Sequence, residues 1–344
     1  MFKSRSEEKI SENYNLSRFK TYRSLGRFSV APMLDWTDRH CRFFHRQLTE
    51  SALLYSEMIV ADAAICGDRT KILSFSEMEH PVALQLAGSD AGKLAEAARI
   101  GADFGYDEIN LNVGCPSDHI QSAAFGACLM QEPDTVARAV DAMKKAVLIP
   151  VTVKCRIGVD EQDSEAALDE FGEQVLSAGA DAIWIHARKV WLKGLSPKEN
   201  REIPPLDYER VYRFRRKKIH TFIGINGGIQ SLDEAVAHLE YVDGVMIGRA
   251  AYYNPLLLID VDRRIYGQKA KKVDYTLLID QMAAYIDIHV RNGGRASHVT
   301  RHMIGLFHGF AGVRGWRQIL STETNSYEAT SAVLFKAFEQ VVLP

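Results

Sequence analysis

Short apolar runs rich in β-branched residues recur along the chain, each followed by a stretch with helical spacing and then by Gly or Pro. Eight runs read as strands: Phe28 to Met33, Leu53 to Met58, Val82 to Ala87, Glu108 to Val113, Val151 to Ile157, Ala182 to Ala187, Thr221 to Asn226 and Gly244 to Gly248. Between them, Asp90 to Ile100, Pro133 to Val147, Asp163 to Ala178 and Ser231 to Leu239 show amphipathic spacing with acidic or Ser starts and Gly or Pro stops, which predicts helices. Strict alternation of strand and helix implies a parallel sheet. Eight units in this length fit a closed (β/α)8 TIM barrel better than an open doubly wound sheet, which usually carries a Gly-rich first turn. No G-x-G-x-x-G is present, and Gly88 to Lys93 is too short for a Walker phosphate loop. From about residue 266 the pattern changes to longer helical periods without strand signal, in Tyr275 to Val290, His298 to Phe310, Arg314 to Leu320 and Tyr327 to Val342. The expected organisation is therefore a polar extension over 1–25, a barrel over 26–265 and an all-helical domain over 266–344.

Composition narrows the class. With 344 residues, 47% hydrophobic and 25% charged, the chain can bury a large core, which excludes disorder or a coiled coil as its main architecture. No run approaches the roughly 18 apolar residues of a membrane span, and the first 25 residues lack the apolar middle of a signal peptide. The expectation is a soluble cytoplasmic protein without a membrane partner. The five cysteines are an odd number and contain no C-x-x-C pair, so neither a metal site nor a disulfide framework is signalled.

In a (β/α)8 enzyme the site lies at the C-terminal ends of the strands. Almost every strand here delivers a polar or turn residue there: Pro32 and Met33, Gln85, Asn112 to Pro116, Lys154, His186, Asn226-Gly227-Gly228 and Gly248-Arg249. Each alone has a plain structural explanation. Their placement along one rim is hard to ascribe to packing. Gly227-Gly228 and Gly248-Arg249 would expose backbone N–H groups and a guanidinium where barrels commonly hold a phosphate. Gln85 can offer a donor and an acceptor to a planar heterocycle, and Lys154 a cation for electron density gathering on it. These are the requirements of a flavin. Cys115, between Gly114 and Pro116 at the exit of strand 4, can point its thiol into the cavity; Cys128 and Cys155 lie in apolar contexts and read as buried hydrophobes.

The segments Val30 to Asp38, Ala83 to Leu86, Leu111 to Ser117, Val153 to Gly158, Ile185 to Arg188, Ile225 to Gly228 and Gly248-Arg249 resemble those of the tRNA-dihydrouridine synthases, over roughly residues 26 to 344. Leu195 to Leu206, Asn254-Pro255 and Thr300 to Gly309 resemble subfamily A. One departure lies beside the cysteine: His119 to Ala124 stands where the family pattern has an Arg at 119 and a Gly near 123. The resemblance implies bound FMN, NADPH as reductant, and a D-loop uridine of tRNA as substrate, at positions 20 and 20a. It implies hydride transfer from flavin N5 to uracil C6 and protonation of C5 by Cys115. Pro32, Met33, Leu34, Gln85, Lys154, His186, Asn226, Gly227, Gly228, Gly248 and Arg249 are then the FMN-binding candidates, and Asn112 is a candidate for holding the uracil edge. The residues alone also fit a flavin barrel that reduces a free pyrimidine or an enoate, with the helical domain as a dimer interface.

Charge placement points to RNA as well. Against a net charge of −2, residues 188–218 carry a balance of +7 and residues 291–317 one of +5, leaving −14 on the rest. Two basic runs on an otherwise acidic protein are what a phosphate-tracking surface needs. Lys198 and Arg201 after strand 6, with Arg314 and Arg317 in the helical domain, are the candidate tRNA contacts; the plain alternative is pairing with carboxylates such as Glu199 or Glu202. No obligatory protein partner is signalled.

Overall fold

The computed structural model describes residues 22–116, 125–270 and 273–343. The segment His119 to Ala124 lies outside them, as does most of the N-terminal extension.

Eight parallel strands close a barrel in sequence order: β1 (Phe28–Val30), β2 (Leu53–Val60), β3 (Val82–Ala87), β4 (Glu108–Val113), β5 (Val151–Arg156), β6 (Ala182–His186), β7 (Phe222–Asn226) and β8 (Gly244–Ile247), with β8 pairing back onto β1. Strand β1 is shorter than its apolar run because Pro32 has no N–H to give the ladder; Ala31 makes the last bond, to the Ile247 carbonyl. The helices between strands start where the sequence places acidic and Ser caps. The Asp90 side chain accepts from the Lys93 N–H, Asp163 from Glu165 and Ser231 from Glu234, each supplying an acceptor to an otherwise orphaned N–H.

The pleat separates two cores. Along β4, Ile109, Leu111 and Val113 face outward into a helix-covered apolar layer, while Glu108, Asn110 and Asn112 alternate with them toward the barrel interior. Strand β5 repeats the arrangement with Val151, Val153 and Cys155 against Thr152, Lys154 and Arg156. Burial pushes the Cys155 thiol up to about 12, as befits an inert apolar position. The lower barrel is filled by Tyr22, Leu53, Tyr55, Trp184, Phe222 and Met246.

After the barrel come helices Tyr275–Arg291, Ala296–Thr300, Val313–Thr322 and Ala332–Phe338. Two are shorter than their apolar periodicity predicts. Residues 301–309 run as turns instead of continuing to Phe310, around Gly305, which abuts the Tyr253 carbonyl so closely that a Cβ would lie 2.4 Å from it, and Gly309 at φ +89°. The last helix starts only at Ala332, because the preceding turn is held by other partners: the Ser331 N–H donates to Asp287 Oδ1, and Val342 then bridges to Ala311. The helical region docks beside the barrel mouth. Asp38 accepts from Arg301 Nη2 at 2.5 Å and lies 3.0 Å from His302 Nε2, His40 Nδ1 lies 2.9 Å from the Tyr285 hydroxyl, and the Tyr252 hydroxyl lies 3.1 Å from His302 Nδ1. One continuous apolar cluster runs from the outer layer of the barrel through Met282, Phe307 and Trp316.

Candidate active site

Strand register sets the chemistry at one level. Gln85 lies beside Asn110, Asn112 beside Lys154, Arg156 beside His186, and His186 beside Asn226. The upper members of this ring open on a cavity of about 970 Å³ at the C-terminal mouth of the barrel. Pro32, Met33, Leu34, Gln85, Lys154, His186, Asn226, Gly227, Gly228, Gly248 and Arg249 all border it, together with Asn112, Cys115 and Arg201. Lys198 does not, although its neighbour Pro197 does, and Arg314 and Arg317 sit away from it on the helix Val313–Thr322.

The wall is cationic. Lys154 Nζ donates to Asn226 Oδ1 at 3.2 Å and has no carboxylate partner among the described residues. Burial, and then the neighbouring Arg156, push its amine down to about 8. Arg156 donates through Nη1 to the Asn200 carbonyl at 3.0 Å and through Nε to the Gly114 carbonyl at 3.2 Å, and burial lowers it to about 10. Its Nη1 also lies 3.4 Å from His186 Nδ1. A guanidinium only donates, so Nδ1 accepts and the imidazole carries its proton on Nε2. Burial, followed by the charges of Arg156 and Lys154, holds His186 well below its ordinary value and therefore neutral. The acids on the cavity wall, Asp35 and Glu202, are both exposed at the rim, and Glu202 pairs with Arg249 at 2.6 Å. A cationic wall, half-buried at Lys154 and buried at Arg156, with no buried counter-charge among the described residues favours an anionic or electron-rich guest.

Two glycines shape the far side. Gly227 and Gly228 adopt φ +115° and +72°, and a Cβ on Gly228 would lie 2.6 Å from Leu206 Cδ1 and 3.0 Å from the Tyr208 hydroxyl. Opposite them, Cys115 is half-buried against Met58, Ala87 and Phe125. Asn112 Oδ1 accepts the backbone N–H groups of Gly114 and Cys115 at 3.2 and 3.0 Å, which fixes the turn that aims the thiol. The Asn112 carboxamide also donates to Gln85 Oε1 at 2.8 Å. Asn112 is thus not a free clamp for a base edge; one N–H remains to it.

The sequence matches the family described as "Dihydrouridine synthase (Dus)" over residues 29–342. The chain belongs to that family. It is 51% identical over 332 residues to the tRNA-dihydrouridine(20/20a) synthase of Shewanella oneidensis, covering 96% of each chain. To the protein of that name from Escherichia coli it is 53% identical over 317 residues, covering 92% of each. Among solved structures, morphinone reductase shares the fold with a TM-score of 0.50 at 13% identity, covering 74% of this chain and 91% of that one.

In this dihydrouridine synthase the first basic run divides in two. Arg210, fully buried, donates to Asp169 Oδ1 at 2.7 Å, Arg213 pairs with Glu165 and Arg215 with the buried Asp243, each at 2.5 Å, and Lys217 and Lys218 pair with Asp169 and Glu173. This second half is the helix Tyr208–Lys217, locked to the neighbouring helix Ser164–Ser177 on the outside of the barrel. It corrects the reading of residues 188–218 as one RNA-facing run. The first half remains available: Lys198 and Arg201 are exposed, and neither pairs with Glu199 or Glu202, which accept from Ser196 and Arg249. Arg314 is exposed, and neither it nor Arg317 makes an ion pair among the described residues. Arg156, the most buried cation of the cavity, was absent from the sequence-based candidates; Lys154-Cys155-Arg156 at strand period two is the signal that points to it. No described helix is long and apolar enough to cross a membrane.

Proposed function

We propose that this chain reduces the C5–C6 double bond of uridine to 5,6-dihydrouridine in the D-loop of tRNA, at positions 20 and 20a, using bound FMN and NADPH as the reductant. One observation carries the reading: a single barrel-mouth cavity brings together a thiol, Cys115, and a cationic wall of the half-buried Lys154 and the buried Arg156 in a chain of the dihydrouridine synthase family. The names of the relatives support the positions in tRNA.

The donor set fits FMN. Lys154, lowered to about 8 by burial, is still mostly charged at neutral pH and would sit beside an electron-rich ring; Gln85 would supply amide contacts to a heterocycle; the Gly227-Gly228 turn and Arg249 offer N–H donors to a phosphate. FMN held by these residues would supply hydride chemistry toward uracil C6, with NADPH as the reductant. The protein supplies the rest. Cys115 donates its Sγ proton to C5 as a general acid. The neutral His186 keeps an Nε2–H to give. Lys198 and Arg201 at the rim and Arg314 and Arg317 on the helical region hold tRNA phosphates while the target uridine is unstacked to enter the mouth. The cytoplasm, where tRNA resides, is its place of action.

Purified protein should be yellow with about one FMN per chain. With NADPH it should form dihydrouridine on unmodified tRNA and leave free uridine unreduced. Correctly folded protein that takes up no flavin on reconstitution, or that reduces free uridine as well as tRNA, contradicts the proposal.

A further inference from the structure

Beneath the cavity floor lies a buried carboxylate that the proposed chemistry does not use. Glu108, at the start of β4, is fully buried and has no cation beside it among the described residues. Three hydroxyls surround it: Tyr22 donates to Oε2 at 2.7 Å, Tyr55 to Oε1 at 2.5 Å, and Thr152 Oγ1 to Oε1. From Thr152 a chain of hydrogen bonds climbs to the catalytic turn. Asn110 Nδ2 donates to Thr152 Oγ1 at 2.7 Å, Gln85 Nε2 to Asn110 Oδ1 at 2.8 Å, Asn112 Nδ2 to Gln85 Oε1 at 2.8 Å, and the Cys115 N–H to Asn112 Oδ1 at 3.0 Å. Asn110, Thr152 and Glu108 are shut off from solvent and do not border the cavity.

Every link points the same way, and the two ends dictate it. Glu108 Oε1 accepts from Thr152, so Thr152 gives its one proton there and must itself accept from Asn110. That fixes Nδ2 of Asn110 downward and its Oδ1 upward, where Oδ1 can only meet the amide nitrogen of Gln85. Gln85 then shows its oxygen to Asn112. At the other end two backbone N–H groups demand an oxygen, and Asn112 provides it. Turning over any one carboxamide would set donor against donor and acceptor against acceptor at both of its ends.

We infer that Glu108, Thr152 and Asn110 are positioning residues that form a one-way hydrogen-bond relay locking the Gln85 and Asn112 carboxamides in a single orientation, so that Asn112 meets a planar heterocycle only as an N–H donor. With both lone pairs of Oδ1 taken and one N–H given to Gln85, Asn112 keeps a single N–H for the cavity. That wall accepts a ring carbonyl and sets its donor against a ring amino group, which separates a uracil-like edge from a cytosine-like one. The inference rests on the functional reading above, since it says how the same cavity recognises its ring.

The test compares Thr152→Val, which keeps the shape and removes the hydroxyl, with Thr152→Ser, which restores it, both as FMN-loaded enzyme acting on unmodified tRNA. Leaving buried polar groups unpaired in the relay should lower kcat/KM by about tenfold or more in the Val variant, and the flavin absorbance band should shift. The Ser variant should recover both to within about threefold of wild type. A Val variant equal to wild type overturns the relay, and so does a Ser variant as impaired as the Val one, since that marks a packing defect. If Thr152→Val does not fold, Thr152→Ala decides: the same loss relative to Thr152→Ser is expected because the relay hydroxyl is missing, and kinetics equal to those of the Ser variant overturn the inference. Failure of the functional reading looks different, because then the wild type itself neither holds FMN nor forms dihydrouridine.

Discussion

The two ends of the barrel interior handle charge in opposite ways. At the mouth, the half-buried Lys154 and the buried Arg156 are cations with no carboxylate against them among the described residues, and the acids of the wall stay exposed at the rim. At the bottom, Glu108 is a buried acid with no cation against it among the described residues, yet three hydroxyls complete it. Burial raises Glu108 to about 7 despite those donors, and lowers Lys154 to about 8. The difference is one of completion. The bottom is satisfied from within and anchors the relay, whereas the mouth leaves its cations open to a guest. A charge buried without a partner marks a ligand site more reliably than the residue type does.

The largest effect should come from the mouth's one reactive group. Cys115→Ala should lower dihydrouridine formation by about 10² to 10⁴ in single-turnover assays with tRNA, because only general-acid help is removed. FMN content and NADPH oxidation should be retained. Cys128→Ala, whose thiol donates to the Phe125 carbonyl outside the cavity, is the silent control. Wild-type turnover in the Cys115 variant would reduce that cysteine to a packing residue.

Lys154→Met tests the unpaired cation itself. A charge-assisted contact is worth roughly 1.5–3 kcal/mol, so FMN affinity measured by flavin titration of the apoprotein should fall by about 10- to 100-fold. An unchanged affinity would mean that the mouth, like the bottom, is complete without a ligand.

The same distinction divides the basic runs. Arg314→Ala with Arg317→Ala should weaken tRNA binding and flatten the slope of log affinity against log salt by up to about one unit per charge. Arg213→Ala with Lys217→Ala should leave it unaltered, since both side chains already pair with Glu165 and Asp169. Equal effects of the two pairs would erase the contrast.

The smallest effect is a proton. Lys154, at about 8 in the free protein, is largely neutral at pH 9 and is drawn back to its charged form by an anionic guest. FMN binding near pH 9 should therefore take up protons, seen as a binding enthalpy that varies with the ionisation heat of the buffer. At pH 6, where Lys154 is already charged, its contribution should vanish. Proton release at pH 9 would contradict the assignment.

How much of this was legible in the sequence follows from what each feature depends on. The strands and the mouth ring depend on local periodicity and on one rule, that chemistry gathers at strand C-termini, so Gln85, Lys154, His186 and Gly227-Gly228 could be read directly. The relay depends on register, which no single strand contains: Asn110 matters because it falls between Gln85 on β3 and Thr152 on β5. Its only trace is the polar period of two in Glu108-x-Asn110-x-Asn112, inside what reads as a buried strand. The basic run 188–218 was half misread because counting charges cannot show that the helix Tyr208–Lys217 lies against the acids of Ser164–Ser177. Helix lengths near the C-terminus were overestimated where close packing, as at Gly305 under the Tyr253 carbonyl, breaks a continuous apolar pattern.

Dihydrouridine mapping of total tRNA tests the central claim most directly, in a strain lacking this gene and complemented with the wild type or with Cys115→Ala. The account predicts that positions 20 and 20a lose dihydrouridine in the deletion, regain it with the wild type and stay unmodified with the Cys115 variant. Unchanged dihydrouridine at both positions in the deletion strain, or full restoration by Cys115→Ala, would contradict it.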